Sequence, residues 1–327
     1  MNLPLYISTP EIARRPPTLA RLSAVGIAIA IGVLAAPAWS ADYNFMTIDV
    51  PTATATGALG VNSTGQIVGS YLDPVDFGRG FLESGGAFTN PDPPGARETA
   101  AFGINSAGLI VGVYLDAGGS HGFVNDGGVF TTLNVPGAVT TQSFGINASG
   151  LIVGDYQEST GGFHGFLDNG GAFTTLDVPG ATNTVPTGIN AVGVIVGTYY
   201  NGTGSHGFLY NGGAFTTLDV PGAAGTFANG INDAGQIVGA YTAGGSQGFI
   251  DDSGVFTTVD APGASGTVAW GINPAGMIVG NFEDAMGSQH GFAATPQLAA
   301  VPEPACLPLL LLSLAGLRLA PRKRVKR

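Results

Sequence analysis

Between about residue 43 and residue 297, short apolar runs alternate with polar, glycine-rich turns. One stretch reads "SFGIN", "NASG", "LIVGDY", "QESTGG", "FHGFLD", "NGG", "AFTTLDV" and "PGATNTVPT" in succession. The four apolar runs are short, rich in β-branched and aromatic residues, and bounded by Gly, Asn or Pro. This pattern predicts four antiparallel strands joined by tight turns. Helical periodicity is absent outside the two ends of the chain.

The phrase "GINASGLIVG" has near copies along the chain. The six copies begin at Gly60, Gly103, Gly145, Gly188, Gly230 and Gly271. The intervals are 43, 42, 43, 42 and 41 residues. Four strands in a period near 42 residues are the content of one β-propeller blade.

The strand count predicts how the ring closes. The unit that begins at Gly271 has three strands and lacks a fourth, whereas "YNFMTIDVP" (residues 43–51) matches the fourth-strand phrase "FTTLDVP". We therefore predict an all-β fold, a six-bladed β-propeller of four-stranded antiparallel blades closed by the N-terminal strand. An open solenoid would instead need capping units. By analogy with other propellers, the GIN strand is expected innermost and the FTTLDVP strand outermost.

The units resemble the HAF-type extracellular repeats of bacteria, in which a GIN-x-x-G-x-IVG phrase accompanies a His-Ala-Phe strand. The resemblance covers about residues 45–293 and implies an extracellular location without a defined activity. This chain has His-Gly-Phe instead, as at His206-Gly207-Phe208. Glycine at that position is expected to allow closer packing between blades.

Residues 1–40 have the pattern of a secretory signal peptide. Arginines precede the apolar run "LSAVGIAIAIGVLAAPA", and "AWS" places small residues before a predicted cut between Ser40 and Ala41. The twin arginines match the Tat pattern poorly, so we expect export through the Sec machinery. A retained N-terminal anchor is the alternative.

Residues 299–327 combine a short motif, an apolar run of about 15 residues and a basic tail. The motif is Val301, Pro302, Glu303 and Pro304. The segment closely resembles the PEP-CTERM sorting signal of Gram-negative bacteria. That resemblance implies a transient inner-membrane anchor, cleavage by an exosortase, and delivery to the cell surface or the exopolysaccharide matrix. A simple C-terminal membrane anchor is the alternative. The domains predicted are thus 1–40 (signal), 41–298 (propeller) and 299–327 (sorting signal with membrane segment).

The charges are concentrated by region. Residues 41–298 hold 20 of the 22 acidic residues but only two basic ones, Arg79 and Arg97, for a formal charge of −18. Such a body repels nucleic acid and anionic lipid surfaces. The excess of acid is interpreted as an aid to solubility, with divalent-cation binding as the alternative. The one cysteine, Cys306, lies in the C-terminal apolar run, so an internal disulfide is excluded.

Three polar positions recur beside the turns. The histidines His121, His164, His206 and His290 all precede Gly-Phe, where the other units carry Arg79 and Gln247. The recurrence favours a structural hydrogen bond to a neighbouring loop; a metal site is the alternative, but it requires convergence near the axis. The Asp of "LDVPG" and the Asn of "GIN" are interpreted as acceptors for backbone N–H groups at turns.

Motifs for nucleophilic, zinc-dependent and phosphate-binding enzymes are missing from the body of the chain. No cofactor is predicted. The repeat symmetry is broken most clearly at Arg79 and Arg97, which are weak candidates for an anion contact. We therefore predict a non-catalytic binding or structural protein, with exopolysaccharide or surface proteins as partners. The alternative is a propeller enzyme that acts on extracellular glycans.

Overall fold

The computed structural model describes residues 43–75, 77–159 and 161–297, and these residues form 24 strands and no helix. No helix in this part of the chain could therefore cross a membrane. The predicted signal helix, the cut between Ser40 and Ala41, the sorting motif Val301–Pro304 and the C-terminal membrane segment lie outside the described residues.

The strands form six antiparallel sheets of four, which we call blades 1 to 6. The chain starts with β1 (Tyr43–Ile48). Blade 1 contains β2 (Ala55–Val61), β3 (Ile67–Leu72), β4 (Gly78–Ser84) and β5 (Ala87–Thr89). Blade 2 contains β6 (Glu98–Ile104), β7 (Ile110–Leu115), β8 (Ser120–Asp126) and β9 (Val129–Leu133). Blade 3 contains β10 (Thr140–Ile146), β11 (Ile152–Gln157), β12 (Phe163–Asn169) and β13 (Ala172–Leu176).

The second half of the ring repeats this arrangement. Blade 4 contains β14 (Asn183–Ile189), β15 (Ile195–Asn201), β16 (Gly204–Asn211) and β17 (Ala214–Leu218). Blade 5 contains β18 (Thr226–Ile231), β19 (Ile237–Thr242), β20 (Ser246–Asp252) and β21 (Val255–Thr258). Blade 6 contains β22 (Gly266–Ile272), β23 (Ile278–Glu283) and β24 (Gln289–Pro296), and β1 is its fourth strand. The predicted six-bladed propeller is confirmed.

The predicted closure by the N-terminal strand is also confirmed. Strand β1 pairs antiparallel with β24, from Tyr43 opposite Pro296 to Ile48 opposite Gly291. The Phe45 ring lies 5.4 Å from the Phe292 ring, and Ile48 is buried. The two ends of the propeller are therefore held together by a backbone ladder and by side-chain packing.

The predicted turns form as the sequence indicates. In blade 3, the Gly150 N–H donates to the Asn147 carbonyl at 3.1 Å, and Gly150 has a φ of 84°. In the "NGG" hairpin, Gly170 and Gly171 have φ angles of 62° and 94°, as a type I′ turn requires. Residues with a side chain rarely adopt such angles, so glycine is selected at these positions.

The predicted radial order is confirmed too, because the first strands of neighbouring blades contact one another around the ring.

The hydrophobic core lies between blades. Ile146 and Ile152 pack with Val111 of blade 2, whereas Val153 packs with Ile195 of blade 4. Each blade contributes one phenylalanine that is at most 1% exposed. These are Phe81, Phe123, Phe166, Phe208, Phe249 and Phe292.

Glycines permit two kinds of close approach. A Cβ at Gly145 would lie 2.8 Å from the Thr187 carbonyl oxygen of the next blade, so this glycine brings neighbouring first strands together. A Cβ at Gly165 of the His-Gly-Phe phrase would meet the Leu176 carbonyl oxygen of its own blade first and would also lie 2.7 Å from Pro186 of the next blade. This glycine therefore permits close approach within the blade as well as the expected closer packing between blades. Gly154 differs, since a Cβ there would collide with the Gln142 carbonyl and Phe166 of its own blade.

Candidate functional site

The four histidines lie at the same place in their blades, at the start of the third strand. Each is directly opposite an aromatic residue of the second strand and packs against its ring. The ring centroids are 5.3 Å apart for Tyr114–His121, 5.4 Å for Tyr156–His164, 5.1 Å for Tyr199–His206 and 5.2 Å for Phe282–His290. The aromatic surface thereby fixes the plane of each imidazole.

The imidazoles also join the third strand to the segment after the fourth strand. In three blades, Nδ1 lies 2.8 Å from an Asp carboxylate oxygen, in the pairs His164–Asp177, His206–Asp219 and His290–Asp49. In blade 2, Nδ1 of His121 lies 3.0 Å from Oδ1 of Asn134. We call the three carboxylate contacts the His–Asp pairs. These pairs and the His121–Asn134 contact each lie within one blade.

A second contact often involves the other imidazole nitrogen. Nε2 of His121 lies 3.3 Å from Asp116, Nε2 of His290 lies 3.5 Å from Asp284, and Nε2 of His206 lies 2.8 Å from the Thr203 hydroxyl. All three partners belong to the loop between the second and third strands. The histidines therefore make the hydrogen bond to a neighbouring loop that the repeat pattern favours.

The pKa of His290 is raised, chiefly by its hydrogen bond to Asp49, with burial opposing and Asp284 adding to the effect. Because Asp49 follows the closing strand β1, this contact contributes to ring closure. A raised folded-state pKa means that the stabilisation is fully present below the ordinary pKa of histidine. It is lost as the pH rises through the folded-state value.

The Asp of "LDVPG" accepts a backbone N–H, as predicted, but the donor is different from the one expected. In blades 1, 3 and 5 the N–H comes from the Gly of the third strand, twelve residues earlier. The distances are 3.0 Å for Gly80–Asp92, 3.2 Å for Gly165–Asp177 and 3.0 Å for Gly248–Asp260. The local turn is held instead by a threonine of the next blade, as in the 3.1 Å bond from Val178 N–H to Thr184 Oγ1.

Arg79 takes the histidine position in blade 1 and lies between two carboxylates. Its guanidinium is 3.6 Å from Asp73 and 3.9 Å from Asp92. Hydrogen bonds from the loop N–H groups, first that of Phe77, and the charge of Arg79 hold the pKa of Asp73 below its usual value. Arg97 is exposed and forms no ion pair within the described residues. The structure therefore does not join Arg79 and Arg97 in one anion contact.

Metal binding is the alternative for the histidine positions, and divalent-cation binding is the alternative for the excess of acidic residues. Among residues 43–75, 77–159 and 161–297, no three His, Cys, Asp or Glu side chains are grouped so that they could hold an ion. The His–Asp pairs belong to separate blades and do not converge.

The Asn of "GIN" has a second role, between blades, in addition to the predicted role in the turn. Oδ1 of Asn147 accepts from the Ser149 and Leu151 N–H groups at 3.1 and 3.0 Å, which is the expected turn role. Its Nδ2 donates to the Asn190 carbonyl of the next blade at 3.1 Å. The same inter-blade bond recurs between all six blades at 3.1–3.4 Å and closes on itself. This asparagine ring contains Asn62, Asn105, Asn147, Asn190, Asn232 and Asn273.

The sequence signal for this ring was that all six copies carry Asn at this position. A role in the turn alone would not require Asn in every copy. Turns of this kind also tolerate Asp, Ser and Gly. A carboxylate can only accept, and a hydroxyl offers a single polar atom, whereas an amide presents an acceptor to the turn and a donor to the next blade on two separate atoms.

Replacing Asn147 by alanine should lower the free energy of unfolding by about 2–4 kcal/mol. The change leaves the Ser149 and Leu151 N–H groups without their acceptor at a partly buried turn. It also removes the buried bond to the Asn190 carbonyl, which then keeps only the Gly193 N–H. Each buried polar group that loses its partner costs about 1–3 kcal/mol. Urea unfolding followed by circular dichroism measures the change. Asn169→Ala, at an exposed hairpin of the same blade, should alter stability by less than about 0.5 kcal/mol. Equal effects of the two substitutions would contradict a stabilising ring.

Each first strand contains a bulge one residue before the Gly of "GIN". The bulged residues differ among blades and are Leu59, Phe102, Phe144, Thr187, Asn229 and Trp270. Several still contact the next blade. Phe102 packs on Phe144 at 4.9 Å, and the Thr187 hydroxyl donates to the Ala228 carbonyl at 2.8 Å. The different residues at this bulge position therefore contribute contacts between blades around the axis.

The sequence matches no protein-family model and no curated protein. Among solved structures, TolB from Acinetobacter baumannii superposes with a TM-score of 0.53 at 11% identity, over 71% of this chain and 64% of TolB. A lectin from Aleuria aurantia in complex with Fucα1-6GlcNAc gives a TM-score of 0.47 at 14% identity, over 80% of this chain and 99% of the lectin. The propeller domain of the Trilobed protease from Pyrococcus furiosus gives 0.47 at 12% identity, over 77% and 100%. At 11% identity, the likeness to TolB shows the fold alone.

Proposed function

We propose that this protein is an exported, exosortase-processed component of the cell surface or extracellular matrix, and that it binds exopolysaccharide without catalysis. The observation that carries the proposal is the use of the repeated polar side chains. The asparagine ring and the His–Asp pairs hold the blades and loops together. Binding chemistry is then left to the loops in which the six units differ.

The charge of residues 41–298 restricts the class of polysaccharide that the propeller can bind. With a formal charge of −18 and only Arg79 and Arg97 as basic residues, the propeller repels uronic-acid-rich chains. Arg79 is in addition held by two carboxylates. A neutral or basic polysaccharide is therefore the partner that fits this surface.

The loop carboxylates support a role without catalysis. Glycosidases need one carboxyl group that stays protonated near neutral pH, beside a second that is ionised. Loop N–H groups, first that of Ser288, hold the pKa of Asp284 below its usual value, and the N–H of Gly118 does the same for Asp116. Burial raises the pKa of Asp251, Asp92 and Asp260. Each of the three nevertheless accepts a backbone N–H of its own blade, from Gly254, Gly80 and Gly248 at 2.8–3.0 Å.

A glycan array probed with the exported protein tests this function. We expect binding to neutral or basic polysaccharides and none to uronic-acid polymers. Incubation with the bound polysaccharides, followed by a reducing-end assay, should show no release of new ends. Turnover of a bound glycan would establish the alternative of a propeller enzyme, and an absence of glycan binding would overturn the proposal.

The processing step is tested separately by mass spectrometry of the protein recovered outside the cell. We expect a mass that lacks residues 1–40 and the basic tail after the Val301–Pro304 motif. Glu303→Ala should leave the tail attached and the protein in the inner membrane. Export with an intact tail would reject exosortase processing without bearing on polysaccharide binding.

A further inference from the structure

A small polar cavity in blade 5 marks a clear departure from the repeat. Its volume is about 200 Å³, and it lies between the loop after β19 and the segment that leads to β22. We call it the blade 5 hollow. The side chains that could bind a ligand there are those of Ser246, Gln247, Asp260, Ser265 and Thr267.

The hollow involves the same two repeat positions that form the His–Asp pairs elsewhere. Gln247 occupies the histidine position, and Asp260 occupies the aspartate position. In blades 3, 4 and 6 these positions are joined at 2.8 Å, and in blade 1 the Arg79 guanidinium lies 3.9 Å from Asp92. Within the described residues, the Gln247 side chain forms no such bond. The side-chain contact between these two positions, which other blades form, is therefore missing in blade 5.

Asp260 has a backbone partner but no side-chain partner from the histidine position. One carboxylate oxygen accepts the Gly248 N–H at 3.0 Å, as the equivalent Asp does in blades 1 and 3. No cationic or imidazole group faces the carboxylate within the described chain. Burial raises the pKa of Asp260, and only the Gly248 hydrogen bond opposes that effect. The charge is therefore uncompensated at a place where the repeat ordinarily supplies a donor that is, or can become, positively charged.

The loop of blade 5 also leaves room for a ligand. In blades 2 and 6 this loop carries Asp116 or Asp284 against the histidine, and in blade 4 it carries Thr203. Blade 5 has Ala243, Gly244 and Gly245 instead, and none of them has a polar side chain. The cavity is smaller than the roughly 300–1,000 Å³ of sites for drug-sized molecules, so it suits one ring.

We propose that the blade 5 hollow binds one residue of an amino sugar whose amine is free and protonated. The ammonium group takes the place of the missing imidazole or guanidinium at Asp260, and the ring hydroxyls bond to the Gln247 amide and the neighbouring hydroxyls. An anionic ligand is excluded by the Asp260 charge and by the acidity of the body. The proposal rests on the polysaccharide-binding function above and names the sugar class for it.

The probes are three tetrasaccharides of similar size, namely tetraglucosamine, its fully N-acetylated form and cellotetraose. Calorimetric titration of the exported protein at pH 6 should show tetraglucosamine binding at one site, at least tenfold tighter than either neutral sugar. Asp260→Asn should weaken this binding at least tenfold. Asp177→Asn, in a blade where His164 already contacts the carboxylate, should leave it unchanged.

Gln247→His provides a test that preserves the fold, because four blades already carry His at this position. The imidazole should contact Asp260, fill the hollow and abolish tetraglucosamine binding. Binding that survives both Asp260→Asn and Gln247→His would overturn the proposed site, as would weak binding at many sites that the Asp177→Asn control alters equally. If the array shows glycan binding while these variants behave as wild type, only the hollow is wrong. If the wild type binds no glycan, the function itself fails.

Discussion

Removal of Tyr43–Pro51 should lower the free energy of unfolding by more than about 4 kcal/mol or prevent folding. The deletion takes the fourth strand from blade 6, with the Phe45–Phe292 contact, the buried Ile48 and the bond between His290 and Asp49. It also leaves β24 as an exposed edge that can pair with other chains. Residues 41–300 with and without this segment should differ in thermal midpoint, unfolding cooperativity and aggregation.

A circular permutant is the matched control for this deletion. Tyr43 lies opposite Pro296 in the β1–β24 ladder, so the two residues can be joined by an Asn-Gly hairpin turn. A chain that starts at Thr52 and carries Tyr43–Pro51 after that turn keeps every blade complete. We expect it to recover most of the lost stability. A deletion variant as stable as the parent would show that β1 does not close the ring.

Replacing Asp155 by asparagine should stabilise the protein by about 4 kcal/mol at pH 7. Asp155 lies on β11 and is only 4% exposed, and its Oδ1 has no hydrogen-bond partner in the described structure. Burial raises the pKa of this carboxyl to about 8. The folded protein must keep it protonated, whereas the unfolded chain ionises it near its ordinary value of about 3.9. Asparagine has nearly the same shape and carries no charge.

The pH dependence separates this explanation from a packing effect. Because the folded-state pKa is raised, stability is greatest below about pH 4 and falls by up to about 1.4 kcal/mol per pH unit until about pH 8. Asp155→Asn should remove this slope, so that the two proteins are nearly equal at pH 4 and differ most at pH 8. Asp126→Asn, at an exposed hairpin, should leave the slope unchanged. Parallel curves for wild type and Asp155→Asn would contradict a buried carboxyl group.

The other five blades carry uncharged residues at this position. The residues equivalent to Asp155 are Ser70, Val113, Thr198, Ala240 and Asn281. Asn281 is equally buried and accepts a 2.6 Å hydrogen bond from Trp270 Nε1. The sequence did contain a signal, because Asp155 falls where strand alternation directs a side chain inward. Without the structure, nothing showed that its Oδ1 lacks a hydrogen-bond partner.

Sequence reasoning was accurate where the physics is local. Period-two alternation, paired glycines and the "NASG" turn identified the strands and hairpins, since each depends on residues close together in the chain. Counting first and fourth strands then required that residues 43–51 complete the last blade. The secretion and sorting signals remain predictions from motifs, and they lie outside the described residues.

The amino-acid sequence by itself therefore determined the strand pattern, the number of blades and the closure of the ring. Only the tertiary structure decided which side chains meet. The asparagine ring joins residues in different blades, and its last bond, from Asn273 to Asn62, spans 211 residues. The His290–Asp49 pair spans 241 residues, whereas the equivalent positions in blade 5 make no contact. A repeating sequence sets equivalent positions in register, but distances of a few ångströms between them are set by how the blades pack.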